Sequence, residues 1–174
     1  FDMESGCREP VLVAGGYGAA PLAFLARRLL ARPNRTRPVR IHAVIGARTA
    51  ADLLFADRFA TLGCEVHPVT EDGSAGRRGL ATDEARELLV QGRADHIFAC
   101  GPGGMLDVLS DLARATRVPA GLSREAYLRC GVGACGSCAH GDRLVCLDGP
   151  VFEVRSQGAY PGRPRVGSPR RRGA

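Results

Sequence analysis

Four of the seven cysteines crowd into one stretch, Cys130, Cys135, Cys138 and Cys146, spaced C-x4-C-x2-C-x7-C with Gly131, Gly133 and Gly136 among them. That spacing suits a 2Fe-2S cluster, in which one tight loop supplies three thiolates and a following segment the fourth. Glycine serves such a loop because it accepts positive φ, lets the chain fold back and lets backbone amides approach sulfur. Other chemistries compete for the same side chains. Four thiolates also suit a tetrahedral structural zinc, although zinc sites usually bring two separated C-x2-C knuckles rather than ligands crowded into one glycine-rich loop. A disulfide framework is disfavoured, since nothing resembles a signal peptide and the cytosol is reducing. Spacing favours iron-sulfur, with zinc as the competitor.

A second kind of chemistry is suggested upstream. The apolar run at 11–15 ends in glycine, the turn Gly15, Gly16, Tyr17, Gly18 follows, and a helical pattern covers 21–31. Strand, glycine turn and helix form the first unit of a doubly wound sheet. There Gly15, Gly16 and Gly18 could lay a diphosphate against amides at a helix N-terminus. The turn lacks the full G-x-G-x-x-G fingerprint, so a tight βα turn without ligand fits it equally well.

Further units repeat the pattern. Strands are expected at 39–45, 64–70 (nearer an edge) and 95–100. Helices are expected from a Thr49 cap to Gly63, from a Thr82 cap through Val90, and over 102–115. Repeated βα units require a parallel sheet with right-handed crossovers, and ligands bind at the carboxyl ends of its strands. Three loops converge there, at 15–19, 71–76 and 100–105. Cys100 could touch a planar ring at that edge or be inert packing. Cys7 and Cys64 are isolated, and His42, His67, His96 and His140 show no ligand spacing.

Composition bounds the class. At 174 residues the chain can hold one full core and a small appendage. No apolar run approaches membrane-spanning length. The formal charge of +6 is confined to the last residues: all 24 basic residues are arginine, and Arg155, Arg163, Arg165, Arg170, Arg171 and Arg172 face no acid there. This Pro, Gly, Ser and Arg-rich tail is expected to be disordered, the alternative being an arm for RNA or an acidic partner. Without aromatic interleaving or a basic folded surface, no nucleic-acid role is expected.

The motifs in their order carry a resemblance. VAGGYGAAPL, GAR at 46–48, TEDGSAGRRG at 70–79 and CGPGGM at 100–105 resemble the NAD-binding half of the ferredoxin-NADP reductase-like superfamily. The cysteine run followed by LDGPVF is similar to the electron-transfer (iron-sulfur) subunits of type B dihydroorotate dehydrogenases. The resemblance implies that Cys130, Cys135, Cys138 and Cys146 ligate the cluster and that Gly15, Gly16 and Gly18 form the pyrophosphate turn. It places Cys100, Gly101 and Pro102 beside the nicotinamide, and Asp72, Gly73 and Ser74 in a D-G-S loop of the nucleotide site. Two departures stand out: the gap from Cys138 to Cys146 is short, and members begin with a flavin-binding barrel whose end Phe1 and Asp2 resemble.

The expectation is therefore an α/β protein, a Rossmann-like parallel sheet followed by a small 2Fe-2S subdomain. It divides as an incoming linker at 1–10, the NAD-binding domain at 11–117, the cluster subdomain at 118–153 and the basic tail at 154–174. The resemblance implies an oxidoreductase subunit of pyrimidine biosynthesis, cytoplasmic and incomplete as given because the flavin barrel is absent. It passes electrons between a catalytic FMN-containing subunit that oxidises dihydroorotate and NAD, through the 2Fe-2S cluster and an FAD held mainly by the barrel. A flavin is the usual converter between two-electron hydride and a one-electron cluster. No residue here is expected to be catalytic toward dihydroorotate, which is handled by the partner in a hetero-oligomer. Alternatives are a related NAD(P)H-linked iron-sulfur reductase subunit serving a hydrogenase or ferredoxin, and a zinc-stabilised nucleotide-binding module.

Overall fold

A computed structural model of the chain describes residue 1, residues 7–31 and residues 39–154. The basic tail, from residue 155 onward, lies outside the described residues. The first strand, β1 (Pro10–Gly15), is buried along almost its whole length. β2 (His42–Ala47) and β5 (His96–Cys100) are similarly enclosed, as the near-continuous apolar runs of a sheet covered on both faces require. β3 (Glu65–Thr70), β4 (Arg77–Arg78), β6 (Ala120–Ser123) and β9 (Val151–Val154) complete a sheet ordered β4-β3-β2-β1-β5-β6-β9. All pairings are parallel except β6 with β9.

Alternation along each strand sorts side chains onto two faces. Val11, Val13, Val44, Ile97 and Ala99 pack against helices α3 (Ala81–Val90) and α4 (Gly103–Thr116). Leu12, Ala14, Ala43, Ile45 and Phe98 pack against α1 (Ala19–Leu30) and α2 (Ala56–Thr61). Strand order reverses between β1 and β5, which makes the crevice at their carboxyl ends the topological switch point.

Three local expectations need correction. The helix from Thr49 to Gly63 is two pieces, a 3-10 turn at Ala50–Asp52 and α2, separated where Phe55 adopts φ 65°. Thr49 bonds Asp52 rather than a backbone amide, while Ser74 Oγ accepts from the Ala50 N–H at 2.7 Å. Thr82 is not a cap: α3 begins one residue earlier, Asp83 reaches back toward the Leu80 N–H, and Thr82 is buried. Finally, the segment 118–153 does not stand apart at its ends, because β6 and β9 are strands of the main sheet.

The chain between them leaves the sheet and returns, its two ends tied by the Arg124 N–H donating to the Pro150 carbonyl at 2.8 Å. Within it a hairpin pairs β7 (Ala139–His140) with β8 (Arg143–Leu144), and the short helix α5 (Val145–Asp148) follows.

Candidate functional site

The switch point is open. A cavity of about 720 Å³ lies over the carboxyl ends of β1 and β2, and a neighbouring one of about 330 Å³ extends from β1 and β5 toward Arg124 and Glu125. Gly15, Gly16, Tyr17 and Pro102 line both. Gly18 and Gly101 line the smaller. The walls also hold the first residues of α3 and α4, whose unpaired N–H groups and positive dipole ends suit an anionic ligand. Gly18 is needed for a close approach of two loops: a Cβ there would lie 1.9 Å from the Cys100 carbonyl oxygen.

The other expected contacts are placed differently. Cys100 is 4% exposed and lies behind the lining, and burial pushes its thiol pKa up, against a smaller opposing effect from Ser123. Asp72, Gly73 and Ser74 brace the wall rather than face the cavity. Asp72 Oδ1 accepts from the Ser74 N–H at 2.9 Å and from its hydroxyl at 2.6 Å, and these bonds hold the Asp72 carboxyl below its ordinary pKa. Of that loop it is Glu71 that reaches the lining, with Arg48 and Asp52 from the segment after β2. Tyr17, 85% exposed at the mouth of both cavities, was not singled out in the sequence, although an aromatic within a glycine turn with no core to fill was a usable signal.

The four cysteines sit on the excursion from the same edge. Gly131, Gly133 and Gly136 have φ of 68°, 77° and 72°, the left-handed turns expected of them. Gly133 has a second constraint, since a Cβ would come 2.3 Å from Leu147 Cδ1 of α5. The short gap before Cys146 is absorbed by the β7–β8 hairpin, which turns at Gly141 and Asp142 and is closed by the Val145 N–H donating to the Cys138 carbonyl at 3.1 Å. This sets the sulfurs in two neighbouring pairs, Cys130 with Cys135 and Cys138 with Cys146.

Their surroundings differ. Cys138 is buried with Val145 and Phe152, while Cys130 and Cys135 are exposed. The Ser137 hydroxyl, 3.5 Å from Cys135 Sγ, and the nearby backbone amides lower the Cys135 pKa to about 6. Cys146 is pushed up, chiefly by its neighbour Cys138. Four thiols on one excursion, in two neighbouring pairs, offer the donor set of a thiolate-ligated metal group.

Comparison with known proteins agrees with both halves. Residues 12–111 match the oxidoreductase NAD-binding domain family. The chain belongs to this family. Residues 125–156 of this NAD-binding-domain protein match the iron-sulfur cluster binding domain of dihydroorotate dehydrogenase B. A probable dihydroorotate dehydrogenase B (NAD(+)) electron transfer subunit of Methanopyrus kandleri is 45% identical over 143 residues, covering 82% of this chain and 53% of the relative. The corresponding Shouchella clausii subunit is 38% identical, covering 88% and 60%. The chain thus spans between half and two-thirds of these relatives. Among solved structures, the NADH-dependent reduced ferredoxin-NADP oxidoreductase superposes with a TM-score of 0.67 at 33% identity, covering 84% of this chain and 53% of that one.

Proposed function

We propose that this chain is the NAD-binding and iron-sulfur part of an electron-transfer subunit of a type B dihydroorotate dehydrogenase. It serves a catalytic flavoprotein subunit in a hetero-oligomer of pyrimidine biosynthesis. The observation that carries this reading is that the nucleotide cleft and the four-cysteine excursion leave the same carboxyl edge of one sheet, through adjacent strands β5 and β6. Bound there, a 2Fe-2S cluster on Cys130, Cys135, Cys138 and Cys146 supplies one-electron transfer and FAD supplies the conversion to hydride chemistry with NAD. The flavin barrel implied by the resemblance is not among the elements described above, and the Gly15–Gly18 turn supplies amides for the nucleotide's diphosphate. In the cavity wall Asp52 and Glu71 oppose the extra phosphate of NADP while Arg48 would favour it, so the reading of NAD rests on the likeness to the NAD(+)-named relatives.

The test is anaerobic reconstitution with iron and sulfide, followed by elemental analysis and EPR of the reduced protein. Two iron atoms per chain and a rhombic signal, both lost in Cys138→Ser, are expected. One zinc and no iron would overturn the reading in favour of a zinc-stabilised nucleotide-binding module. A second reading, a related reductase subunit serving a ferredoxin or hydrogenase, is favoured by the ferredoxin-NADP oxidoreductase likeness. Reconstitution with a dihydroorotate-oxidising partner separates the two: NAD reduction dependent on this chain supports the first.

A further inference from the structure

His42, Glu65 and His67 are far apart in sequence for metal ligands, yet the β2–β3 register sets them together. His42 is paired with Glu65, and His67 lies two residues further along the same face. His42 Nδ1 is 3.2 Å from His67 Nε2, and Glu65 oxygens lie 3.7 Å from His42 Nδ1 and 3.5 Å from His67 Nε2. One ligand atom from each residue falls within a common 4.8 Å. With Zn–N bonds of about 2.0–2.1 Å, neighbouring ligands on a tetrahedron stand roughly 3.3–3.4 Å apart, close to these separations. Four-coordination would leave one position for water.

The orientation of His67 adds a second observation. Its Nδ1 lies 2.9 Å from Glu84 Oε1 on α3, so the Nδ1–H donates to that carboxylate and the Nε2 lone pair points at the cluster. A carboxylate behind a ligating histidine fixes its tautomer and raises its basicity, the usual outer support of a zinc ligand. We propose that His42, Glu65 and His67 form a second metal site, for zinc, oriented by Glu84 and independent of the four cysteines.

The surroundings set its strength. Arg40 and Arg93 both pair with Glu65, and Arg77 pairs with Glu84. Each Glu65 oxygen has a further lone pair, and Arg40 is 60% exposed and can swing into water. Three guanidiniums nonetheless oppose a divalent ion. His42 Nε2 is buried without a hydrogen-bond partner, so its N–H would be unpaired when Nδ1 ligates. These features weaken the site, and imidazole ligands favour zinc over magnesium or calcium. The side chains of His67 and Glu65, 15% and 33% exposed, provide the entry. The ion would staple β2 and β3 to each other beneath α3, away from the cleft at the strands' carboxyl ends.

The test loads the iron-sulfur protein anaerobically, equilibrates it with micromolar zinc and counts zinc and iron per chain, with a thermal melt. Wild type is expected to gain one zinc and melt higher. His67→Gln should gain none while keeping its iron and its zinc-free melting point, and Glu65→Gln should bind at least tenfold more weakly. If His67→Gln fails to fold, Glu65→Gln decides. Were the cysteines themselves to hold zinc, wild type would still carry one more zinc than His67→Gln, which separates this site from the reading of the cysteines. No uptake by wild type, or equal uptake by wild type and both variants, overturns the site.

Discussion

A methyl group added at Gly18 would have to displace the β5–α4 loop, because Gly18 has an ordinary right-handed φ of −59° and meets the Cys100 carbonyl only through lack of a Cβ. Gly16 is the opposite case, with φ of 54° and open space around its Cβ position. Gly18→Ala is therefore expected to cost about 1–3 kcal/mol by overpacking. Gly16→Ala should cost roughly 1–2 kcal/mol by backbone strain alone. Urea midpoints measure both, and because both residues line the cleft, nucleotide titration is expected to weaken in each, in Gly18→Ala through the displaced loop and in Gly16→Ala through the strained turn. A different residue sets an alkaline limit. Burial pushes the Cys64 thiol from 9.0 up to about 11. Between those values the unfolded chain has released a proton that the folded chain keeps, so stability declines as pH rises through the window. Cys64→Ala should be less stable at neutral pH yet show a shallower decline, read from urea midpoints on either side of the window.

The β7–β8 hairpin and α5 act as one element that carries Cys146 back to Cys138, and Gly133 is where the cysteine loop rests on it. Gly133→Ala suffers twice, from φ of 77° and from the contact with Leu147. The double variant Gly133→Ala, Leu147→Ala should recover the steric share but not the strain of about 1–2 kcal/mol. Iron retained per chain is therefore expected to fall in the order wild type, double variant, single variant. Elements that announce themselves locally were legible in the sequence: the apolar runs of β1, β2 and β5, the glycine turn and the cysteine loop. What depends on distant partners was not. β6 and β9 are four residues each and pair across the whole cluster excursion, so no local periodicity marks their membership of the sheet. The break before α2 arises where Leu53 and Leu54 pack into the core and leave Phe55 left-handed, a tertiary demand that overrides helical spacing. His42 and His67 meet through strand register alone, 25 residues apart.

At the scale of the molecule, one sheet joins two sites, and its last strand packs under the cysteine segment while pairing with the strand beside β5. Phe152 of β9 is 7% exposed and packs with Cys138 and Val145, while its backbone pairs with Leu122 of β6. β6 in turn pairs with β5, whose end faces the smaller cavity. Truncating Phe152 removes the apolar floor beneath the buried Cys138 thiol without touching the glycine turn at the other side of the switch point. Phe152→Ala should cost about 3–5 kcal/mol if the site fails to collapse. Because a bound group stabilises only the folded state, metal loss and unfolding become linked. The variant is therefore expected to release iron at lower urea than wild type and earlier than its sheet unfolds. If the segment 124–150 can open while the sheet persists, nucleotide affinity will survive at urea concentrations that bleach the cluster. If the two halves form one cooperative unit, both will vanish at a single midpoint. Visible absorbance, far-UV circular dichroism and nucleotide fluorescence, followed on one titration, distinguish the outcomes. The tie between Arg124 and Pro150 at the root of the excursion favours separate opening, since it closes the sheet below the cluster whatever happens above it.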